Sequence, residues 1–434
     1  MIDDDVKKDH YSEQIPDLDF QKLEVVTALG RGAKGVVFLA RNANDDDGDG
    51  EWLALKVISR DLIERKAKIV NSDADEYRRV CFEREVLRQF RHPLLPRLRG
   101  VLDTKKVVGY AIDYCNGRDL NTLRKKQTEK MFSDDVIRFY AAELVMALEY
   151  VHSLGIVYRD LKPDNVMVQH NGHIMLVDFD LSTRLSQKSP KSSPLLLPAV
   201  EVLKESRSTI KKKSKKKRFF HFHRFCNSGV SPEDSDQQTA NKPKSPPEKR
   251  RSPPDSSESD SSEKSNSFVG TEEYVAPEIV SGKGHDFSVD WWSLGVVLYE
   301  MLYGTTPFRG SNRKETFYRI LTKTPDLSGE VTPLRDLIRK LLEKDPTKRI
   351  ELEEIKSHNF FKGTDWDLVL EIPRPPSLPA IATEDTDGNN LIDVESFVQD
   401  IFCNETEKKN RPNGDEGNGF IPTNYTESDR FHVF

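Results

Sequence analysis

The hydrophobic pattern changes period along the chain. Between Leu23 and Ile58, apolar residues alternate with polar or small ones in three short runs, LEVVTALG, GVVFLARN and LALKVI. Alternation of this kind puts one face of each run against a core and predicts strands. The third run follows an Asp/Gly-rich loop, Asn44 to Gly50, whose composition marks a turn. A charged helix ending near Phe90 comes next. From about residue 134 helices dominate: Ile137, Ala141, Leu144, Leu148 and Val151 recur at spacings of 4, 3, 4 and 3, one apolar helical face. Ser133 stands where a helix cap belongs and Gly155 where the helix ends. The most apolar stretch, Val289 to Tyr303, contains Asp290, Ser293 and Glu300. It predicts a buried globular helix, and no run reaches the length of a membrane span.

Composition divides the chain further. From about 186 to 264 the residues turn to Ser, Pro, Lys and Asp/Glu with few recurring apolar positions, which predicts a disordered insertion. Ordered sequence resumes at SFVGTEEYVAPE and ends near Phe360-Phe361. The expected organisation is a polar arm (1–22), a folded region (23–361) and a tail (362–434) ending on FHVF. In the tail, Val394, Phe397, Val398 and Ile401 predict a short amphipathic helix packed on the folded region. A chain of 434 residues exceeds one compact core. Its 32% charged residues against 36% hydrophobic ones fit sizeable solvated parts. Net charge is −6 and says little about partners. Four cysteines, with no C-x-x-C pair, point to a reduced intracellular compartment, and the acidic start gives no sign of a signal peptide.

Three constellations carry chemistry. Leu29 to Val37 reads L-G-R-G-A-K-G-V-V, a G-x-G-x-x-G-x-V turn between two predicted strands. Gly30, Gly32 and Gly35 let the backbone pass close over phosphates with no Cβ in the way, and Leu29 and Val37 are placed to pack on an adenine ring. A strand follows where a dinucleotide site would need a helix; a plain hairpin remains the bland alternative. Lys56 lies in the third strand among apolar neighbours, where a lone charge is expensive to bury unless its stem snorkels. Glu83 shares a helical face with Val80, Val86, Leu87 and Phe90, while Glu85 faces solvent. Lys56 and Glu83 are therefore expected to pair. The third constellation is Tyr158-Arg-Asp-Leu-Lys-Pro-Asp-Asn165 followed by Asp178-Phe-Asp180. Asp160, Lys162, Asn165 and Asp178 put two acids, a base and an amide within twenty residues. Phosphoryl transfer needs such a kit: an acid to orient a hydroxyl, a lysine to steady the phosphoryl group, oxygen ligands for Mg²⁺. Each alone is compatible with a surface turn; all three in this order are hard to obtain by chance.

This ordered set resembles the eukaryotic protein kinases. Ala276-Pro277-Glu278, Asp290-Trp-Trp-Ser-Leu-Gly295 and Arg349 in KDPTKRI extend the likeness over about 23–361. Asp178-Phe-Asp180 in place of D-F-G, the long insertion and the terminal F-x-x-F make the chain most similar to the plant AGC kinases of the eighth subgroup, near the oxidative-signal-inducible kinases and their UNICORN relatives. A plant source is inferred from that likeness alone. The resemblance implies a two-lobed α+β fold: a small antiparallel-sheet N-lobe (about 23–112) and a mostly helical C-lobe (about 113–361). It implies a serine/threonine protein kinase using ATP and Mg²⁺, with Asp160 as catalytic base and Lys162 at the γ-phosphate. Asn165 and Asp178 would ligate Mg²⁺ and Lys56 would hold the α/β-phosphates. The backbone of Asp113 and Cys115 would meet adenine beyond the gatekeeper Ile112, and Asp119 would sit near the ribose. Lys162-Pro163 marks serine/threonine specificity, and Asp119 with Asp164 implies basic residues before the target. Glu278 and Arg349 would form a buried ion pair, and Asp290 would support the catalytic loop. Asp180 replaces the family's glycine; activity is expected to be kept and a flipped inactive segment to be rarer.

Regulatory expectations follow from the same likeness. Ser267, three residues before Gly270, matches the activation-loop phosphosite, with Arg159 a candidate partner for its phosphate. Phe431 and Phe434 match a docking motif for the chain's own N-lobe or for the activating phosphoinositide-dependent kinase. The run Lys211 to Arg218 has seven basic residues out of eight and leads into FFHFHRF up to Phe225. It reads as a solvated charge block, a nuclear address or an attachment to anionic phospholipids through 211–225; nucleic-acid binding is the weakest fit. The expected locations are cytoplasm and nucleus with peripheral plasma-membrane association, in stress or growth signalling on protein Ser/Thr substrates. The rival readings are a pseudokinase scaffold and a lipid-tethered adaptor.

Overall fold

A computed structural model describes residues 15–32, 35–42, 51–64, 75–185, 270–372, 391–409 and 432–433. The predicted alternation becomes an antiparallel sheet of β1 (Leu23–Arg31), β2 (Gly35–Asn42), β3 (Leu53–Ser59), β4 (Leu98–Asp103) and β5 (Val107–Asp113), in the order β1-β2-β3-β5-β4. In β3, Leu53, Leu55 and Val57 are buried on one face, and Lys56 points to the other. Register sets Val37, Lys56 and Tyr110 side by side on that second face, which looks toward helix α1 (Asp75–Gln89).

The helical half carries α2 (Leu120–Lys125), α3 (Asp134–Ser153), α4 (Pro277–Val280), α5 (Ser288–Tyr303), α6 (Arg313–Thr322), α7 (Pro333–Leu341) and α8 (Leu352–Lys356). Two short antiparallel pairs, β6 (Ile156–Val157) with β9 (Thr183–Arg184) and the hairpin of β7 (Val166–Val168) with β8 (Ile174–Leu176), hold the loops that face the sheet. All five residues of the predicted α3 face are buried, and Phe139, Tyr140 and Val145 bury other faces too. Ser133 occupies the cap position without a side-chain cap bond, while Gly155 (φ 73°) takes the left-handed turn beyond the helix end. α5 is buried along nearly its whole length, as its composition predicted. One large cluster runs from Trp292 and Leu298 up through Tyr158 and Phe179 to Leu87 of α1 and Phe90 just beyond it, so both halves share it. Burying each such side chain contributes about 1.5–3 kcal/mol.

Three boundaries differ from the sequence expectation. The helical core continues past Phe361: Val369 is buried and Trp366 stacks near Phe361 at 5.1 Å. Part of the polar arm joins the sheet, where Leu18 N–H donates to the Val101 carbonyl (2.7 Å) and Val101 N–H to Pro16 (3.0 Å). β4 is an edge strand whose open backbone groups need partners. The tail helix is longer than its apolar stripe, spanning α9 (Val394–Lys409). Val394, Val398 and Phe402 bury the outer face of the sheet with Val25, Phe38 and Leu55, and Phe397 meets Phe38 edge-on at 5.5 Å. A final strand, β10 (His432–Val433), pairs in parallel with β1. Among the described residues no helix is long and apolar enough to cross a membrane.

Candidate active site

The expected ion pair is present. Lys56 Nζ lies 3.0 and 3.2 Å from the Glu83 carboxylate oxygens and 2.8 Å from Asp178 Oδ1. Glu83 is buried and Glu85 exposed. Burial opposes the charge on Lys56, but the carboxylates of Asp178 and Glu83 outweigh it and hold the ammonium protonated. Burial also pushes the Glu83 carboxyl up to about 7; Lys56 pulls the other way, while Asp178 and Asp180 add like charge. Glu83 further accepts from the Phe179 N–H at 3.1 Å, so one acid of α1 grips both the sheet and the segment after Asp178.

Strain and its supports concentrate below it. Arg159 (φ 70°) and Asp178 (φ 59°) are two of five described non-glycine residues in the left-handed region, a conformation that persists only where surroundings hold it. Asp290, fully buried on α5, supplies that hold: it accepts from the N–H groups of Tyr158 (2.9 Å) and Arg159 (2.7 Å) and meets His152 Nε2 at 2.7 Å. Tyr158 donates its hydroxyl to the Val177 carbonyl at 2.5 Å and packs on Phe179 at 5.0 Å, while Phe179 meets Phe90, just past the end of α1, at 4.7 Å. Asp180 is not among the residues with positive φ, so an aspartate sits there without the strain a glycine would relieve. Arg159 donates to the Leu181 carbonyl at 2.6 Å and lies 3.5 Å from His285.

Asp160 accepts four hydrogen bonds. Lys162 Nζ (2.9 Å) and Asn165 Nδ2 (3.0 Å) donate to its Oδ2, and the N–H (3.0 Å) and hydroxyl (2.7 Å) of Thr271 donate to its Oδ1. Lys162 also reaches the Thr271 hydroxyl at 3.2 Å. Asn165 Oδ1 is buried with no hydrogen-bond partner among the described residues. Such an orphaned acceptor is unfavourable unless something fills it. Val177 N–H bonds the Asn165 carbonyl at 3.0 Å, tying this oxygen's residue to the strand that delivers Asp178. An orphaned amide oxygen and a part-exposed carboxylate are a hard-oxygen donor pair that fits Mg²⁺, which takes one or two protein ligands beside phosphates. No cluster of three His, Cys, Asp or Glu suited to a metal occurs among the described residues.

The remaining expected residues line the sheet side. Gly30, Gly32 and Gly35 lie at the β1–β2 turn, where Gly32 N–H bonds the Gly35 carbonyl at 2.9 Å. Gly35 has a second reason to be glycine: a Cβ there would lie 2.2 Å from the Val57 carbonyl oxygen. Leu29 and Val37 are half-buried. At the junction of the halves, Asp113 is braced by the Arg99 guanidinium and the Arg97 N–H. Cys115 is buried against Met175 (3.6 Å between sulfurs), and burial pushes its thiol up to about 12. Asp119 caps α2, accepting from the Thr122 N–H (2.7 Å) and hydroxyl (2.6 Å). Asp164 accepts from Asn121 at 2.9 Å. Glu278 and Arg349 form the expected buried pair at 2.7 and 3.0 Å. Ser267, Phe431, Phe434 and 211–225 lie outside the described residues.

Two features escaped the sequence reading. Thr271 is one, though its place one residue after Gly270 in GTEEY was a usable signal. The other is the buried pair of Glu300 and Arg124 (2.8 Å), joined by the half-buried Tyr274 (2.5 Å from Glu300), which gives no local pattern because its members come from α5, α2 and the segment before α4.

A glycine-turned sheet, a lysine held by a helix acid, and a catalytic loop facing an aspartate on the next hairpin define a protein kinase, and the chain belongs to that family: the protein kinase domain matches residues 23–209 and 256–361. It is a serine/threonine protein kinase of the plant AGC type. It is similar to Serine/threonine-protein kinase OXI1 of Arabidopsis thaliana, 58% identical over 413 residues covering 94% of this chain and 92% of that protein. Serine/threonine-protein kinase UCN of the same plant is 41% identical over 372 residues, covering 83% and 85%. UCNL, also from Arabidopsis thaliana, is 40% identical over 371 residues, covering 83% and 84%. Kinases of this family use ATP and Mg²⁺ and act on proteins.

Proposed function

We propose that Asp160, Lys162, Asn165, Asp178 and Lys56 act together in this chain to move the γ-phosphoryl group of ATP to a serine or threonine hydroxyl. The observation that carries this reading is Asn165, whose Nδ2 holds Asp160 while its buried Oδ1 has no partner among the described residues. In this reading Asp160 orients the attacking hydroxyl and takes its proton. Lys162 steadies the transferred phosphoryl oxygens, and Lys56, released in part from Asp178, grips the α/β-phosphates. Asn165 Oδ1 and Asp178 would hold Mg²⁺, which when bound offsets phosphate charge. Gly30, Gly32 and Gly35 cover the phosphates, Leu29 and Val37 flank the adenine, and the backbone of Asp113 and Cys115 bonds its edge. Asp119 and Asp164 favour basic residues before the target, Asp119 beside the ribose.

Activation in this reading comes from phosphate on Ser267, drawn toward Arg159, and from docking of a phosphoinositide-dependent kinase through Phe431 and Phe434. Residues 211–225 serve as an address, to anionic lipid or to the nucleus, for a kinase working in cytoplasm, nucleus and at the plasma membrane in stress or growth signalling. Asp180 keeps the segment in its active arrangement. The test is transfer of labelled γ-phosphate from Mg-ATP to a basic serine peptide by the wild type and by Asp178→Asn. The wild type is expected to label the peptide and the variant to lose at least about 10²-fold. If neither labels peptide or itself, even after incubation with the activating kinase, the roles assigned here fail and a scaffold takes their place.

A further inference from the structure

The tail helix does something the catalytic residues do not explain: it reaches the phosphate loop. Arg31 sits between Gly30 and Gly32, and its guanidinium lies over the Phe402 ring at 5.0 Å. Phe402 is buried at the far end of a row begun by Val394 and Val398 on the sheet's outer face. The near end of that row is anchored elsewhere on the sheet. Ile392 N–H bonds the Val25 carbonyl (2.9 Å), the Thr104 hydroxyl donates to Glu395 (2.7 Å), and Lys106 lies 3.3 Å from Glu395. A second tail segment meets the same spot: β10 pairs His432 with Gly30 and Val433 with Arg31. Two stretches of tail therefore converge on the two residues where β1 gives way to the glycine turn.

We propose that α9 positions the phosphate loop through Phe402 acting on Arg31, and so sets the affinity for ATP without touching it. The inference rests on the reading of Gly30, Gly32 and Gly35 as the cover over the phosphates. A glycine-rich turn is conformationally loose and loses much freedom when it closes on a ligand. A cation held over an aromatic face restricts the long side chain at the end of β1, where the turn begins, and a loop ordered in advance binds with less entropic cost. Phe402 is a positioning residue in this scheme; its effect belongs to nucleotide binding, not to the chemical step.

The test uses the full chain: wild type, Phe402→Leu, Phe402→Trp, Arg31→Gln and the double variant Phe402→Leu with Arg31→Gln. KM for ATP, kcat at saturating basic peptide and thermal midpoint are read for each. Leucine keeps the apolar bulk and removes the ring face, so folding is retained. Phe402→Leu is expected to raise KM for ATP roughly two- to fivefold, the size of a partly exposed cation–π contact, with kcat held. Phe402→Trp restores the wild-type KM, and in the Arg31→Gln background Phe402→Leu adds nothing further. An unchanged KM, a loss carried by kcat, or multiplying effects of the two single variants would overturn the proposal, as would a lower thermal midpoint with KM unmoved. If the wild type itself transfers no phosphoryl group, the site reading has failed; if it does and KM is insensitive, only the role of α9 has.

Discussion

Thr271 offers the sharpest check on how the site works. Its hydroxyl donates to Asp160 Oδ1 at 2.7 Å and faces Lys162 at 3.2 Å, while its N–H holds the same Oδ1 at 3.0 Å. Thr271→Ala removes one of the two bonds and leaves the backbone one. A hydrogen bond to a charged group contributes about 1.5–3 kcal/mol, and with the N–H still in place the lower figure applies. Spent wholly on orienting Asp160 in the transition state, about 1.5 kcal/mol is roughly a tenfold fall in kcat. Lys56, Glu83 and Asp178 form their own contacts without Thr271, so KM for ATP should stay near wild type. Thr271→Ser keeps the hydroxyl and should keep kcat to within about a factor of two. Steady-state phosphorylation of a basic serine peptide reads all three. Serine failing as badly as alanine, or KM for ATP rising in step with the loss of kcat, would refute the reasoning.

Two further outcomes follow from the buried charges. Arg349 is wholly buried and held by Glu278 through two bonds, so Glu278→Ala strands a cation and should cost about 3–5 kcal/mol. That is a fall of roughly 6–20 °C in thermal midpoint; adding Arg349→Met should recover most of it, and a neutral single variant counts against the pair. Glu83 is raised from 4.5 to about 7 by burial. The folded chain thus holds a proton that the unfolded chain releases, and this contribution to stability is present below about pH 4.5 and lost as pH rises through 7. The fully ionised pair with Lys56 forms on the same rise, so kcat/KM should climb through neutrality while that stability term declines; a Glu83→Gln variant with the wild-type pH dependence of stability would contradict this.

How far these contacts were readable depends on their range. Lys56 and Glu83 betrayed themselves locally, as a cation in a strand of alternating burial and an acid on an apolar helical stripe. The α3 and α5 spans and the apolar stripe of α9 were equally visible, because strand and helix periods repeat within a few residues. Glu278, Arg349 and Asp290 had roles only through likeness to a family; no pattern around them says what they touch. Thr271 meets Asp160 across 111 residues and Asp290 meets Arg159 across 131.

By itself, then, the sequence determined which segments are strands and helices, which faces they bury, and which residue types stand ready for phosphoryl transfer. Tertiary structure alone decided that Thr271 closes on Asp160, that Asn165 buries an oxygen with no partner among the described residues, that Leu18 pairs at the sheet edge, and that Phe402 lies under Arg31. Period and propensity act over a turn or a pleat. Partners across a hundred residues are chosen when buried faces meet and each buried polar group must find what satisfies it.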